Sequence, residues 1–287
     1  MTNADEQHWD IEIAPHGNLF DLKLRDIWRY RDLLFLLVRR DFVSFYKQTI
    51  LGPLWFFILP LFTTVIYTFV FGTLAGISTD GLPQPLFYMA GITAWNYFAD
   101  CLTKTSTVFT ANAALFGKVY FPRLIVPMSI VVSNLVRFCV QMLLFFIVMG
   151  AYMAKGVTLH MNAGLILFPF LLLLMAMLGL GLGMIISALT TKYRDLSFLI
   201  TFGIQLMMYL TTVIYPLSTV KAKFPKYEWL VEYNPMTSII EAFRYGFLGR
   251  GTFTVASLGI SAIITVLILL LGIIIFNRVE RNFVDTV

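Results

Sequence analysis

Arg137 is the residue least expected where it stands, a guanidinium inside an apolar run from Leu124 to Met153. A charge at bilayer depth costs roughly 2.5–3.5 kcal/mol on insertion scales, so such a side chain faces protein or water. Asn134 lies three residues before it and Gln141 four after, which puts all three on one helix face. Two chemistries are open to that stripe: hydrogen bonding between helices, or a hydrated path for an anionic group. Aromatic residues are the second unusual resource, with 27 Phe, 13 Tyr and 5 Trp. Trp55, Tyr67, Trp95, Tyr97, Tyr209 and Tyr215 combine rings with polar edges, which can stack on sugar faces and still hydrogen-bond. Core packing and an interfacial belt are the ordinary alternative. Arg39, Arg40 and Lys47 can draw phosphate groups or anchor the chain to anionic lipid.

Other chemistries lack their residues. No G-x-x-x-x-G-K-[ST] phosphate loop occurs, since the one Gly-Lys pair, Gly117-Lys118, is followed by Val119. His8, His16 and His160 are scattered, and Cys101 and Cys139 fall inside apolar runs without metal-ligand spacing. Asp100 is the sole acidic residue within an apolar stretch, thin support for a proton- or sodium-coupled transporter. A membrane enzyme acting on a polyprenyl carrier needs acids or histidines near the surface, and both are scarce. The reading is therefore a transport subunit rather than an enzyme, with no cofactor or metal of its own.

The elements that position these residues follow from hydropathy. Of the 287 residues 59% are hydrophobic and 13% charged, whereas soluble domains carry about 25% charge. That composition excludes a soluble enzyme, a disordered chain and a disulfide scaffold, and predicts an all-α integral membrane protein. Six continuous stretches approach the ~20 apolar residues a span needs: Leu54–Ala75, Leu86–Leu102, Leu124–Met153, Ala163–Leu189, Leu196–Leu217 and Ala256–Phe276. The second is the weakest, interrupted by Trp95, Asn96 and Asp100. With six spans, 14 of the 21 Lys and Arg fall on the side of both termini and 6 on the other. That asymmetry predicts cytoplasmic termini in a bacterial inner membrane. The net charge of +5 flanks apolar runs, which suits anionic lipid rather than nucleic acid.

Residues 1–18 read as a flexible tail, 19–53 as a cytoplasmic interfacial region and 54–287 as the six-helix domain. In the interfacial region Ile27, Leu34, Val38, Phe42 and Phe45 recur near helical spacing, as in a helix lying in the membrane plane. The segment 218–255 carries short helices before the last span. There Asn234-Pro235 is a helix start and Gly249 a stop. Met236, Ile239, Ile240, Phe243 and Phe247 share one face, and Glu241 with Arg244 the other, after Tyr227, Trp229 and Leu230. This is a surface helix at the headgroups or a gate over an outer pore mouth. Gly179, Gly183 and Ser187, four apart, allow close helix approach within the subunit or across a dimer.

Four segments in order carry a resemblance. The first runs from Leu24-Arg25-Asp26-Ile27-Trp28-Arg29-Tyr30-Arg31-Asp32 through Val38-Arg39-Arg40-Asp41 and Tyr46-Lys47-Gln48-Thr49 to Leu51-Gly52-Pro53-Leu54-Trp55. The others are Asn112-Ala113-Ala114-Leu115-Phe116-Gly117-Lys118-Val119-Tyr120-Phe121-Pro122-Arg123, Tyr193-Arg194-Asp195-Leu196, and Asn234-Pro235-Met236-Thr237 through Arg244. Together the chain resembles the permease subunits of bacterial ATP-binding-cassette polysaccharide exporters, closest to O-antigen permeases of the Wzm type, with teichoic-acid and capsule permeases as relatives. The resemblance implies a homodimer paired with two nucleotide-binding subunits, which hold the ATP and Mg. The cargo it implies is a polysaccharide on a lipid carrier, undecaprenyl diphosphate, moved to the periplasm. It makes 107–121 a coupling element, and gives Asn112, Leu115, Phe116, Lys118 and Arg123 of the 104–123 loop the task of docking on the partner. It makes Trp229, Met236, Ile240, Phe243 and Arg244 part of an outer gate. The substrate path implied runs past Trp55, Tyr67, Trp95, Tyr97, Arg137, Tyr209 and Tyr215, with Arg39, Arg40 and Lys47 toward the carrier phosphates. A drug, a lipid or another lipid-linked polymer is the alternative cargo.

Overall fold

The computed structural model describes residues 28–47, 49–116, 121–193 and 195–283. All regular structure among them is helical. Helix α1 spans Arg31–Tyr46 and α2 spans Trp55–Tyr67, continued by a π-helical stretch over Thr68–Leu74. Helix α3 is Gln84–Ser106, followed by two single turns, α4 (Val108–Ala111) and α5 (Ala113–Phe116). The long α6 (Ile125–Ala154) and α7 (Phe168–Lys192) come next, then α8 (Leu196–Tyr209). Three shorter helices, α9 (Leu217–Lys223), α10 (Glu228–Glu232) and α11 (Pro235–Leu248), precede α12 (Val255–Phe283).

Among the described residues, four helical stretches are long and apolar enough to cross a membrane: Gly52–Leu74, Ile125–Ala154, Ala163–Lys192 and Val255–Val279. The other two expected spans differ for separate reasons. Helix α3 has 23 residues, about 35 Å at 1.5 Å per residue, but Asn96, Asp100 and Lys104 dilute its hydropathy. The run expected to continue to Leu217 leaves the helix at Leu210, so α8 has only 14 residues. The reason is chemical. Outside the helix, the carbonyls of Thr212 and Val213 are released to accept hydrogen bonds from Arg244.

The least apolar of the six is the most enclosed. Helix α3 packs against α2, α6, α7, α8 and α11, and its residues Leu86 through Trp95 are all buried. Its neighbour α7 lies between α3 and α12. A Cβ on Gly179 would meet Cys101 Cβ at 2.9 Å, and one on Gly183 would meet Thr105 Cβ at 2.5 Å. On the opposite side a Cβ on Gly272 of α12 would reach the Gly181 carbonyl at 2.5 Å. The small residues of α7 thus serve packing inside one subunit, through backbones too close for any side chain.

A second core joins the N-terminal helix to the segment after α3. Leu37 of α1 is buried with Val108, Phe109, Phe116, Phe121, Ile125 and Val126, together with Met184 of α7 and Phe276 of α12. Of the residues that recur at helical spacing, Leu34, Val38 and Phe42 are half-buried; Ile27 lies outside the described residues. Leu37, unmarked by the periodicity, does the anchoring. Elsewhere α2 exposes Leu59, Phe62, Val65, Ile66 and Phe69, and α8 exposes Phe198, Leu199, Phe202 and Leu206. Those apolar faces suit lipid or another subunit.

Candidate functional site

The polar stripe of α6 meets α3 in a ladder. The two helices are neighbours, and their paired residues ascend on one as they descend on the other. At one rung Lys104 Nζ donates to Asn134 Oδ1 at 2.8 Å, and Asn134 Nδ2 reaches Cys101 Sγ at 3.7 Å. At the next rung Arg137 Nη1 lies 3.9 Å from Asp100 Oδ2. Beyond it the Tyr97 and Phe138 rings pack with centroids 5.2 Å apart, and Phe138 stacks on Phe168. The ladder passes from charge to aromatic rings within about two helical turns.

Its depth is fixed by Phe56, the second residue of α2 and so the very end of the first span. The Arg137 guanidinium lies over the Phe56 ring, 5.3 Å from its centroid. Phe56 also stacks on Phe42 of α1, with centroids 6.2 Å apart. The charged rungs therefore sit level with the start of α2 and with α1, at one end of the helix bundle. Arg137 retains 19% side-chain exposure and Asp100 44%, so this end of the ladder is open.

A different construction occupies the other end of α3. Arg244 of α11 is 1% exposed. Its Nη1 donates to Thr212 O at 2.5 Å and to Glu241 Oε1 at 3.3 Å. Its Nη2 donates to Val213 O at 3.0 Å and Phe87 O at 3.3 Å, while the group stacks 3.6 Å from the Phe87 ring centroid. Glu241 Oε2 accepts from Thr252 N at 2.9 Å and Thr252 Oγ1 at 3.3 Å. Burial pushes the arginine pKa down to about 10, opposed by Glu241, so the group stays charged at neutral pH. One side chain thus pins α11, α3 and the 210–216 turn together. Gly91 makes room for it: a Cβ there would meet Arg244 Nη2 at 2.7 Å.

Next to this pin, Ser218 Oγ donates to both carboxylate oxygens of Asp80, at 2.8 and 2.9 Å. Asp80 holds a left-handed backbone, φ +52, in the turn before α3. A cleft of about 290 Å³ opens beside Glu241, lined by Lys221, Glu232, Ser238, Thr252 and Ser257. Lys221 and Glu232 pair across it at 2.7 Å, tying α9 to α10.

The expected path residues separate into groups. Trp95 and Tyr97 are 4% and 3% exposed, inside the subunit, with Trp95 edge-on to Phe98 at 5.2 Å. Tyr67 is half-buried against Phe71, and its hydroxyl lies 3.7 Å from Met208 Sδ. Tyr215 donates to the Tyr209 carbonyl at 2.6 Å, and the Tyr209 ring is exposed. Tyr67, Tyr209 and Tyr215 thus gather where α2 meets the end of α8. Trp55, half-buried, stands at the far end of α2, next in sequence to Phe56.

Of the basic residues expected near phosphates, Arg39, Arg40 and Lys47 are all exposed on or just after α1. Arg40 pairs with Asp41 at 2.8 Å. Among the docking residues, Asn112 donates to Val108 O at 3.0 Å and Leu115 is half-buried. Phe116 is buried against Phe109 and Phe121, with Arg123 5.4 Å over its ring. Lys118 lies outside the described residues. In the outer segment Trp229 is exposed, whereas Met236, Ile240, Phe243 and Arg244 are buried. The expectation that Glu241 and Arg244 form a surface face of α11 is corrected: that face is enclosed too, because backbone carbonyls of α3 and the 210–216 turn replace water around it.

Sequence reasoning passed over Lys104, Gly91 and Asp80. Lys104 had a signal, standing four residues after Asp100 on one helix face. Asp80-Gly81 is likewise a turn dipeptide. Gly91 had none, since its role depends on residues far away in sequence.

Comparison with known proteins adds a frame to this geometry. Residues 32–248 match the family described as ABC-2 type transporter. An O-antigen export system permease protein RfbA of Klebsiella pneumoniae is 28% identical over 263 residues, covering 88% of this chain and 94% of that protein. A protein of the same name from Myxococcus xanthus is 27% identical over 265 residues, covering 92% and 98%.

Proposed function

The chain belongs to the ABC-2 type transporter family, and from that premise we propose that it is the membrane subunit of an ATP-driven exporter of lipid-linked polysaccharide of O-antigen type. One observation carries the cargo: the relatives named O-antigen export system permease match nearly their whole length and nearly all of this chain. The energy comes from a separate subunit. That agrees with a sequence lacking a phosphate loop.

In this reading two copies of the chain pair with two ATP-binding subunits, which hold ATP and Mg. Six spans are counted, with α3 crossing inside its own subunit and α8 completed by the 210–217 turn. Both termini are cytoplasmic. The partner pushes on 107–121, and the push has a route inward: Phe109 and Phe116 share a core with Met184 of α7, Phe276 of α12 and Leu37 of α1. The polymer passes along the exposed faces of α2 and α8, with Tyr67, Tyr209 and Tyr215 offering rings. Helices α9 to α11 form the outer gate. Undecaprenyl diphosphate is the carrier whose phosphates Arg39, Arg40 and Lys47 attract.

The test is co-expression with the ATP-binding subunit encoded beside it, followed by purification and measurement of ATPase activity and surface polysaccharide. A stoichiometric complex is expected, with surface polysaccharide lost on deletion of the chain. Leu115→Asp is expected to reduce the complex about tenfold by placing a charge on a docking face. Phe116→Asp is not the equivalent test, since it puts a carboxylate in a buried core. No ATPase subunit in the complex, or unchanged surface polysaccharide in the deletion strain, overturns the reading.

A further inference from the structure

We propose that the cleft beside Glu241 is a binding site for the hydroxyl groups of a saccharide. It adjoins a second hollow of about 480 Å³ lined by Asp80, Tyr245 and Arg250, and the two share Gly251 and Thr252. Together they reach the size at which ligand sites commonly fall, about 300–1,000 Å³. One side chain points to a ligand. Ser238 is 6% exposed and lines the cleft, yet among the described residues its hydroxyl has no hydrogen-bond partner. A buried hydroxyl without a partner costs stability, and a ligand hydroxyl in the cleft supplies one. The surrounding groups are held before any ligand arrives. A Cβ on Gly251 would meet the Glu241 carbonyl at 2.6 Å, so the 249–254 turn lies directly on α11, and Thr252 is bonded to Glu241. Asp80 is held by Ser218. Such fixed groups lose little freedom on binding.

The class of ligand follows from charge. Asp80, Glu232 and Glu241 stand against Lys221, Arg250 and the Arg244 that is bonded to Glu241. An anion there meets three carboxylates and a metal ion meets three cations, so neither is favoured. Sugar hydroxyls are uncharged, and each both donates and accepts. The two hollows offer both roles. Arg250 is an exposed donor without a partner among the described residues. Asp80 accepts from one hydroxyl only, which leaves it further acceptor positions. Ser238 and Thr252 can take either part. Tyr245, its ring stacked on Phe253 with centroids 5.5 Å apart, adds an apolar surface for the C–H groups of a sugar. None of these lining residues is among those expected along the substrate path. The site rests on the proposed function for the source of its sugar, the exported chain leaving at this end of α3.

The test is saturation-transfer difference NMR on the full-length chain in nanodiscs. The probe is the oligosaccharide released by mild acid from the surface polysaccharide of the source cells, titrated to give a Kd. The wild-type chain is expected to bind it. Ser238→Ala removes a hydroxyl from the cleft and no bond within the chain, and is expected to weaken binding about fivefold, as for one neutral hydrogen bond. Arg250→Ala changes an exposed side chain, so the fold is not at stake, and is expected to weaken binding about tenfold, as for a charged donor. Lys226→Ala, an exposed cation that does not line the cleft, is expected to leave the Kd unchanged, as is an excess of inorganic phosphate. No binding by the wild type, or a wild-type Kd in both cleft variants, overturns the proposal. So does a loss in Lys226→Ala equal to that in Arg250→Ala, or displacement of the sugar by phosphate, since the cleft would then attract anions by charge alone. The two readings fail separately. Surface polysaccharide that persists without the chain overturns the proposed function and leaves the site to be judged on its Kd. Polysaccharide lost with the chain, but no oligosaccharide bound by it, overturns the site and leaves the function standing.

Discussion

Arg244–Glu241 and Arg137–Asp100 pair the same chemical groups on opposite plans. The first is shut in: 1% and 2% side-chain exposure, three backbone carbonyls from two distant elements, a ring against the guanidinium and a backbone N–H on the carboxylate. The second stands 3.9 Å apart and partly open, with the guanidinium over the Phe56 ring. Burying a charge in protein is tolerable only when its hydrogen-bonding capacity is filled from fixed dipoles. Arg244 meets that condition and so locks structure. Arg137, at 19% side-chain exposure, is under less demand to do so. The pair that looks more ordinary as an ion pair is the more interchangeable one.

The sharpest way to break the contrast is Arg244→Met. It keeps volume but strands Glu241 as an uncompensated buried charge and frees the carbonyls of Phe87, Thr212 and Val213. A loss of about 3–5 kcal/mol is expected. It is to be read as a collapsed yield of monodisperse protein and a lowered thermal midpoint in detergent. A midpoint equal to wild type would show that the enclosed pair holds nothing.

Glu241→Gln comes second. The amide still accepts from Thr252, and Arg244 keeps its carbonyls but loses its countercharge. About 2–3 kcal/mol is expected, the cost of removing a charged partner from a buried donor. Gly91→Ala probes the same lock without touching either charge. Its Cβ would stand 2.7 Å from Arg244 Nη2 and 3.1 Å from the Val213 Cα, so α3 and the 210–216 turn must part. About 1–2 kcal/mol of overpacking is expected. The same substitution at Gly203, whose Cβ direction is open, serves as the matched control and should be silent.

The contrast also marks what the chain's sequence can and cannot disclose. Helix α11 was legible at its ends, since capping is a local rule. Asn234 accepts from Met236 N at 3.0 Å, and Gly249 takes φ +72. Its two faces were not. An amphipathic pattern assigns Glu241 and Arg244 to water, and the carbonyl that overturns this on α3 lies 157 residues away. The four strongest apolar runs formed long helices because continuous hydrophobicity has few alternatives in lipid. The run at 196–217 broke because its last carbonyls serve that same arginine. For Arg137 the stripe with Asn134 was readable, but its depth was not. Position within an apolar run suggested mid-membrane, and only the Phe56 contact, 81 positions back along the chain, places it at one end of the helix bundle.

The smallest expected effect completes the comparison. Arg137→Gln removes a partly exposed guanidinium that stands 3.9 Å from Asp100, and partly exposed ion pairs contribute about 0–1 kcal/mol. The thermal midpoint should therefore move far less than in Glu241→Gln. Asp100 keeps solvent access, so no charge is stranded by the change. A drop as large as that of Arg244→Met would mean that the inner pair is a second lock. A small drop would separate the two ends of α3 by construction: one charge enclosed to hold helices together, the other partly open and held less tightly.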